Sequence, residues 1–142
     1  VVVNFGADRC WALGDVRRIN QVVSNFVDNA LKFMPEKDGI LTISTRQIDQ
    51  NILFSIQDNG AGISSEDLPH IFERFYKADK AHTSGMGTGL GLSICNLIIR
   101  QHNSEINVRS RPGATVFEFL LPAADPPQPI MLGESAEDSA QT

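Results

Sequence analysis

The sequence predicts an α/β fold of two layers, a β-sheet with helices packed on one of its faces. Three observations predict it. Two stretches, 14–33 and 90–102, repeat apolar residues at helical spacing. Stretches 39–48 and 51–58, and again 106–110 and 115–121, have the pattern of short strands joined in pairs by polar turns. The resulting order is strand, helix, two strands, short helix, loop, helix, two strands, which lays the helices over a single sheet.

Val1-Val2-Val3-Asn4-Phe5 reads as the opening strand. The long helix follows from Gly14 to Phe33, with Asp15 as N-cap and Pro35 as its stop. Val16, Ile19, Val22, Val23, Phe26, Val27, Ala30 and Leu31 are expected to form its buried stripe. Two strands, GILTISTRQI and NILFSIQD, turn around Asp49-Gln50-Asn51. SSEDLPHIFERF reads as a short helix capped by Ser64 or Ser65. KADKAHTSGMG is polar and ends in glycine, as expected of a mobile loop. LGLSICNLIIRQH is the second apolar helix, and INVRS and TVFEFLL are the last strands, turned at Arg111-Pro112-Gly113.

The chain has 142 residues, 42 % of them hydrophobic, enough for one compact domain with a sizeable core. That domain is expected over 1–122. The remainder, AADPPQPIMLGESAEDSAQT, is rich in proline, small residues and acids, and reads as a disordered tail. No apolar run reaches the roughly 18 residues of a membrane span. No signal-peptide pattern is present, and the abrupt start at Val1 reads as that of a fragment. A net charge of −5 weighs against nucleic acid as a partner. Cys95 lies in an apolar stretch, far from Cys10, so a buried thiol in a reducing, cytoplasmic setting is expected. His70, His82 and His102 are scattered, with surface or loop roles expected, and no zinc-site spacing occurs.

Three features carry chemistry. Asn25, Asn29 and Lys32 lie three and four residues apart on the long helix, so they project together beside its buried stripe. Asparagine is a mediocre helix former, and two in mid-helix suit either a solvated face or a metal and phosphate edge. Asp58 alternates in phase with Ile52, Phe54 and Ile56, on the face expected to meet the core. A carboxylate there either caps a turn or waits at the mouth of an apolar pocket for a hydrogen-bond donor. Asn59-Gly60-Ala61-Gly62 then turns sharply and leaves room for a flat group such as adenine. The third feature is Gly85-Met86-Gly87-Thr88-Gly89-Leu90-Gly91, a glycine run entering a helix, where free N–H groups and the helix dipole favour an anion. It lacks the lysine of the common phosphate loop, and Lys32 is placed to supply that charge.

Together these motifs resemble the catalytic domain of sensor histidine kinases. SNFVDNALKF is similar to the family's N box, DNGAGI to its G1 box, IFERFYKAD to its F box and GTGLGLSI to its G2 box, in the family's order. The resemblance covers Val1 to Pro122. It implies the Bergerat fold shared with gyrase, MutL and Hsp90 ATPases: a mixed, largely antiparallel sheet under three helices. It also implies that ATP and Mg²⁺ bind, with Asn29 as metal ligand and Asn25 assisting. Lys32 would contact phosphate, Phe33 and Ile63 would line the base pocket, and Asp58 would accept the adenine amino hydrogen. Gly60 and Gly62 would shape that pocket. Tyr76, Lys77, Gly85, Gly87, Thr88, Gly89, Leu90 and Gly91 would belong to the ATP lid and its phosphate-facing end. Arg74, Lys77 and Lys80 are alternatives for a lid cation, or ordinary surface charges. The hydrolytic relatives carry a glutamate where this chain has Asn25, which favours phosphoryl transfer to a histidine over hydrolysis. Of Ile71, Phe72, Phe75 and Tyr76, some are expected in the core and at least one ring outside, toward a partner.

The resemblance further implies a histidine-bearing dimerisation domain as partner and, indirectly, a response regulator. No histidine here lies in the family's acceptor setting. The expectation is therefore a monomeric cytoplasmic fragment of a membrane-anchored parent that binds Mg·ATP but does not phosphorylate itself. A related serine kinase or ATPase, or a nucleotide-binding regulatory module, is the alternative. The sequence departs from the family at His102-Asn103-Ser104, where His-Gly-Gly is common, and in the short hairpin 111–115.

Overall fold

The computed structural model describes residues 1–7, 10–76 and 90–126. Their elements are β1 (Val2–Ala7), α1 (Val16–Phe33), β2 (Ile40–Ile48), β3 (Asn51–Asp58), a 3₁₀ turn (Leu68–His70), α2 (Gly91–Gln101), β4 (Asn107–Arg111) and β5 (Ala114–Pro122). The five strands form one sheet in the order β1-β2-β3-β5-β4. β1 runs parallel to β2, and every other pair is antiparallel. The mixed, mostly antiparallel sheet under helices is the fold class that the sequence implies.

Each helix begins and ends for a local reason. The Asp15 carboxylate accepts from the N–H groups of Arg17 and Arg18, at 3.0 and 3.2 Å, and so caps α1. Met34 closes the other end with an N–H bond to the Ala30 carbonyl, just before Pro35. α2 ends with Asn103 in the left-handed conformation (φ 57°) and Ser104 N–H bonded to the Ile99 carbonyl at 3.1 Å. That is the closure expected of glycine, met here by asparagine. In the β4–β5 hairpin, Gly113 takes a φ of 88° after Pro112, as a two-residue turn of this kind requires.

The core lies between the two helices and one face of the sheet. Val22, Phe26 and Ala30 of α1 meet Cys95, Ile98 and Ile99 of α2 above Leu41, Ile56, Phe117 and Phe119. The Phe26 ring stands 5.1 Å from that of Phe117, and Phe54 stacks on Phe119 at 5.1 Å. The sequence expectation was too broad at two positions of α1. Leu31 is 47 % exposed because it projects roughly 140° from the centre of the buried stripe. Val16, in the first turn, is 72 % exposed.

The expected short helix over 64–75 is a correction as well. Among the described residues only the 3₁₀ turn Leu68–His70 is helical there. Its N-cap is Asp67, with no side-chain cap bond; Ser64, one of the two expected caps, closes the turn before it, its hydroxyl accepting from the Asp67 N–H at 3.2 Å and donating to the Asp67 carboxylate at 2.8 Å. Proline at 69 and the left-handed φ of Phe75 (64°) prevent a longer run. Two α-helices and this turn therefore stand where three helices were expected. At the far end, Ala123 pairs with Ala12 and the Ala124 N–H bonds to the Trp11 carbonyl at 2.7 Å. Backbone pairing thus continues two residues past Pro122. The rest of the tail from 127 lies outside the described residues.

Candidate functional site

Helices α1 and α2 lie antiparallel, tied at three levels. The Asp15 N–H donates to His102 Nε2 at 3.0 Å. The Cys95 thiol points to the Val22 carbonyl at 3.7 Å. The Asn25 side-chain amide donates to the Gly91 carbonyl at 3.3 Å. The last tie brings the C-terminal half of α1 to the first turn of α2, so the expected polar stripe and the expected phosphate-facing end meet. Asn29 is half-buried, one turn beyond Asn25, and makes no hydrogen bond among the described residues. Lys32, another turn on, is exposed and free of ion pairs among the described residues.

Asp58 reaches the same place from the sheet. Residues alternate along β3, so its carboxylate emerges on the core face at the end of the strand and is only 7 % exposed. One oxygen accepts the Gly60 N–H at 2.9 Å. No described group bonds the second. No buried side-chain oxygen lacks a partner among the described residues, so this second oxygen opens on accessible space. Burial pushes the Asp58 carboxyl above its ordinary range, and the Gly60 N–H opposes that only in part.

Gly60 explains how α1 and Asp58 come so close. A Cβ at Gly60 would stand 2.6 Å from the Phe33 carbonyl oxygen and 2.9 Å from the Asp58 carboxylate. The last turn of α1 therefore rests on the backbone just after Asp58. Gly62 adopts a φ of 89°, and a Cβ there would lie 2.7 Å from the Arg111 carbonyl oxygen. The Gly113 N–H bonds to the Gly60 carbonyl at 2.8 Å. The loop 59–63 is thus clamped between α1 and the β4–β5 turn. Asn59 holds its near end, accepting from Ile40 N–H and donating to the Asp38 carbonyl, both at 2.8 Å. The half-buried Ile63 holds its far end, its N–H bonded to the Ser110 hydroxyl at 2.7 Å.

The arrangement sets a nearly buried carboxylate, the amides and lysine of α1, and the N-terminus of α2 around one candidate cleft. A model of the histidine kinase-, DNA gyrase B- and HSP90-like ATPase family matches residues 14–125. The chain belongs to this family. It is 41 % identical over 121 residues to the sensor protein SrrB of Staphylococcus aureus, a match that covers 84 % of this chain and 20 % of SrrB. The chain therefore spans about a fifth of the length of that relative. Its structure is similar to the catalytic domain of the histidine kinase ThkA, with a TM-score of 0.73 and 31 % identity over 85 % of this chain and 79 % of that one. It is also similar to full-length ShkA, solved in complex with AMPPNP, with a TM-score of 0.74 and 26 % identity over 91 % of this chain and 27 % of ShkA. Within the family the chain is similar to the catalytic domains of sensor histidine kinases.

Of the expected site residues, the fold gathers Asn25, Asn29, Lys32, Phe33, Asp58, Gly60, Gly62, Ile63, Leu90 and Gly91 around this cleft. Leu90 is half-buried at the start of α2, where its carbonyl accepts the Ser93 hydroxyl at 2.8 Å. Gly91 is exposed, and a Cβ there would meet nothing within 4 Å. Lys77, Gly85, Gly87, Thr88 and Gly89 lie outside the described residues, as do Lys80 and His82. Tyr76 stands apart from α1: its hydroxyl donates to the Asp67 carboxylate, which raises the phenol above its ordinary range. The F box divides as expected. Ile71 is buried and Phe72 meets Phe117 edge-on, whereas Phe75 is 64 % exposed with the Arg74 guanidinium 5.8 Å from its ring centre.

Sequence reasoning missed where the fold places two residues, Thr115 and His102. Thr115 is paired with Asp58 across β3 and β5, and is 4 % exposed. Its hydroxyl shares a hydrogen bond of 2.7 Å with Ser110, the next residue on the same rung. The signal was present, since Thr115 alternates in phase with the buried Phe117 and Phe119. The pairing register that sets it beside Asp58 was not. His102, expected at the surface, is structural: its Nδ1 bonds to the Ile98 carbonyl at 2.8 Å while Nε2 accepts from α1. That pattern selects the neutral tautomer with the proton on Nδ1. Cys95 is buried as expected, and burial pushes its thiol up to about 12, so it is no nucleophile at neutral pH.

Proposed function

We propose that this domain binds Mg·ATP in the cleft and transfers the γ-phosphoryl group to a histidine on a separate dimerisation domain. The observation that carries the reading is Asp58, a nearly buried carboxylate with one oxygen fixed by a backbone N–H and the other open to the cleft. A base with an exocyclic amino group satisfies that oxygen and covers the apolar surface around it. Gly60 and Gly62 keep the pocket floor thin, and Phe33 ends the wall above it.

The metal reading fits the residues present. Asn29 offers a hard, neutral amide oxygen that no described group uses, and the Asn25 amide nitrogen is committed to Gly91, which leaves its oxygen for the ion or its waters. Bound Mg²⁺ would neutralise part of the triphosphate charge. Lys32 adds a second positive charge on the same side. The open space at Gly91 lets the phosphates approach the N-terminus of α2.

Transfer breaks the bond between the γ-phosphorus and the bridging oxygen, leaves ADP, and forms a phosphorus–nitrogen bond. A neutral imidazole nitrogen attacks with its own lone pair, so the domain's task is to position and to neutralise charge. Asn25 fits that task, because an amide is no general base for water. The acceptor histidine, the dimerisation domain and a response regulator belong to the proposal, as does a cytoplasmic placement on a membrane-anchored parent. No helix of the described residues is long and apolar enough to cross a membrane.

The test supplies the chain in trans with a helical histidine domain of a sensor kinase and γ-labelled ATP. Acid-labile label on the histidine is expected. Label on serine, or free phosphate alone, sinks the reading in favour of a serine kinase or an ATPase; binding without transfer sinks it in favour of a regulatory module.

A further inference from the structure

The face of the sheet turned away from the helices carries a cavity of about 400 Å³, lined by Gln57, Arg109, Ser110, Arg111, Ala114 and Val116. Register explains its composition. Gln57, Val116 and Arg109 form one rung across β3, β5 and β4, and Ala114 and Arg111 form the next. These five alternate out of phase with the core-facing Asp58 and Thr115; Ser110, whose hydroxyl bonds to Thr115, borders the cavity from the rung between them. The cavity therefore has two guanidinium groups and an amide around a small apolar floor, and lies on the opposite side of the sheet from the nucleotide cleft.

The two arginines are not equivalent. Arg109 is 71 % exposed and donates to Glu118 at 3.3 Å, which steers its side chain across β5 and leaves its other donors unused. Arg111 makes no ion pair among the described residues. In a chain of net charge −5, an unpaired arginine next to a partly paired one, above a concave surface, is a local reversal of sign. Guanidinium forks match paired oxygens, and a volume of this size suits a small molecule.

We propose that this cavity binds a compact polyanion, a small molecule bearing two or more carboxylate or phosphate groups. Arg111 supplies the fork, Arg109 the second positive charge and Gln57 a neutral donor. The site also has a route to the nucleotide cleft. Gly113, at the tip of the same hairpin, donates to the Gly60 carbonyl, and the Arg111 carbonyl lies against Gly62. Occupation on this face is therefore read by backbone groups that shape the other.

The experiment titrates the nucleotide-free chain with pyrophosphate and, separately, with citrate, followed by amide and arginine side-chain NMR shifts. Saturable shifts at Arg109, Arg111, Gly113 and Gly60 are expected, with a Kd of about 5 mM or tighter. Saturation by pyrophosphate alone names a phosphate ligand, by citrate alone a carboxylate ligand, and either supports the site. Arg111→Lys keeps the charge and loses the fork, so it is expected to weaken binding about fivefold or more. The double variant Arg109→Ala/Arg111→Ala is expected to abolish it, with the remaining spectrum unchanged as proof of folding. Shifts that never saturate, shifts centred on Asn29 and Gly91, or equal affinity in Arg111→Lys would each overturn the proposal.

Discussion

In the role proposed for it, Asp58 serves binding at the expense of stability. Its folded-state carboxyl is raised by burial, so folding takes up protons as pH climbs from the ordinary value of 3.8 toward the raised one. Stability therefore falls through that window and stays lower above it. Asp58→Asn removes the charge that burial opposes. In urea at neutral pH its unfolding midpoint is expected to equal or exceed that of the parent chain. Its ATP affinity is expected to drop by about 1.5–3 kcal/mol for the lost charged hydrogen bond, roughly ten- to hundredfold in Kd. A variant that loses stability and affinity together, or keeps its affinity, removes Asp58 from the role assigned. Asn29→Ala separates metal from base: nucleotide binding in Mg²⁺ is expected to weaken while binding in EDTA is spared. Equal losses under both conditions would refute the metal role.

Individual elements meet at points that can be tested singly. α1 is held to α2 at its N-terminal end by His102, and His102→Ala removes both of its side-chain hydrogen bonds. A loss of about 1–2 kcal/mol in equilibrium denaturation is expected, with little change in ATP affinity because the cleft lies at the other end of both helices. Gly91 poses the opposite case. Its position in α2 has open space for a methyl group, and alanine is the better helix residue. Gly91→Ala is therefore expected to keep or raise the melting temperature while weakening ATP binding, since the glycine is then there for the ligand. At Gly62, a φ of 89° and a carbonyl 2.7 Å from any Cβ make alanine costly for the protein itself. Strain of this kind costs on the order of 1–3 kcal/mol, and thermal denaturation of Gly62→Ala would show it.

Across the whole molecule, the two proposed sites lie on opposite faces of the sheet. The helical face holds the cleft, and the other face holds the arginine cavity, with the loop 59–63 and the β4–β5 turn in contact between them. Neither His70, on the 3₁₀ turn and bonded to Glu73 at 2.7 Å, nor His102, committed at both ring nitrogens, is presented as a phosphoryl acceptor. His82 lies outside the described residues. Incubation of the chain alone with labelled ATP is expected to leave no acid-labile phosphate on it, and its detection by acid and base treatment would contradict the assignment. At 20 % of the length of SrrB, the domain is a part whose acceptor is proposed to lie elsewhere.

The chain order of residues was enough to place the elements. Periodicity marked α1, α2 and β3 to within a residue or two, because one face of each is buried and a buried face must repeat. Glycine, asparagine and aspartate marked the turns, because they occupy left-handed backbone more cheaply than other residues. The same periodicity put Asn25, Asn29 and Lys32 on one flank and Asp58 on the core face. It failed where packing outweighs pattern. Leu31 and Val16 carry the right side chains with no surface to meet, and the segment 64–75 has the composition of a helix but a proline and a left-handed phenylalanine within it. Contacts between distant segments were beyond the sequence: Thr115 and Ser110 beside Asp58, His102 against Asp15, and Arg109 with Arg111 on the outer face. Each depends on strand register or helix contact, and those are settled by the packing of the whole chain, not by any stretch of it.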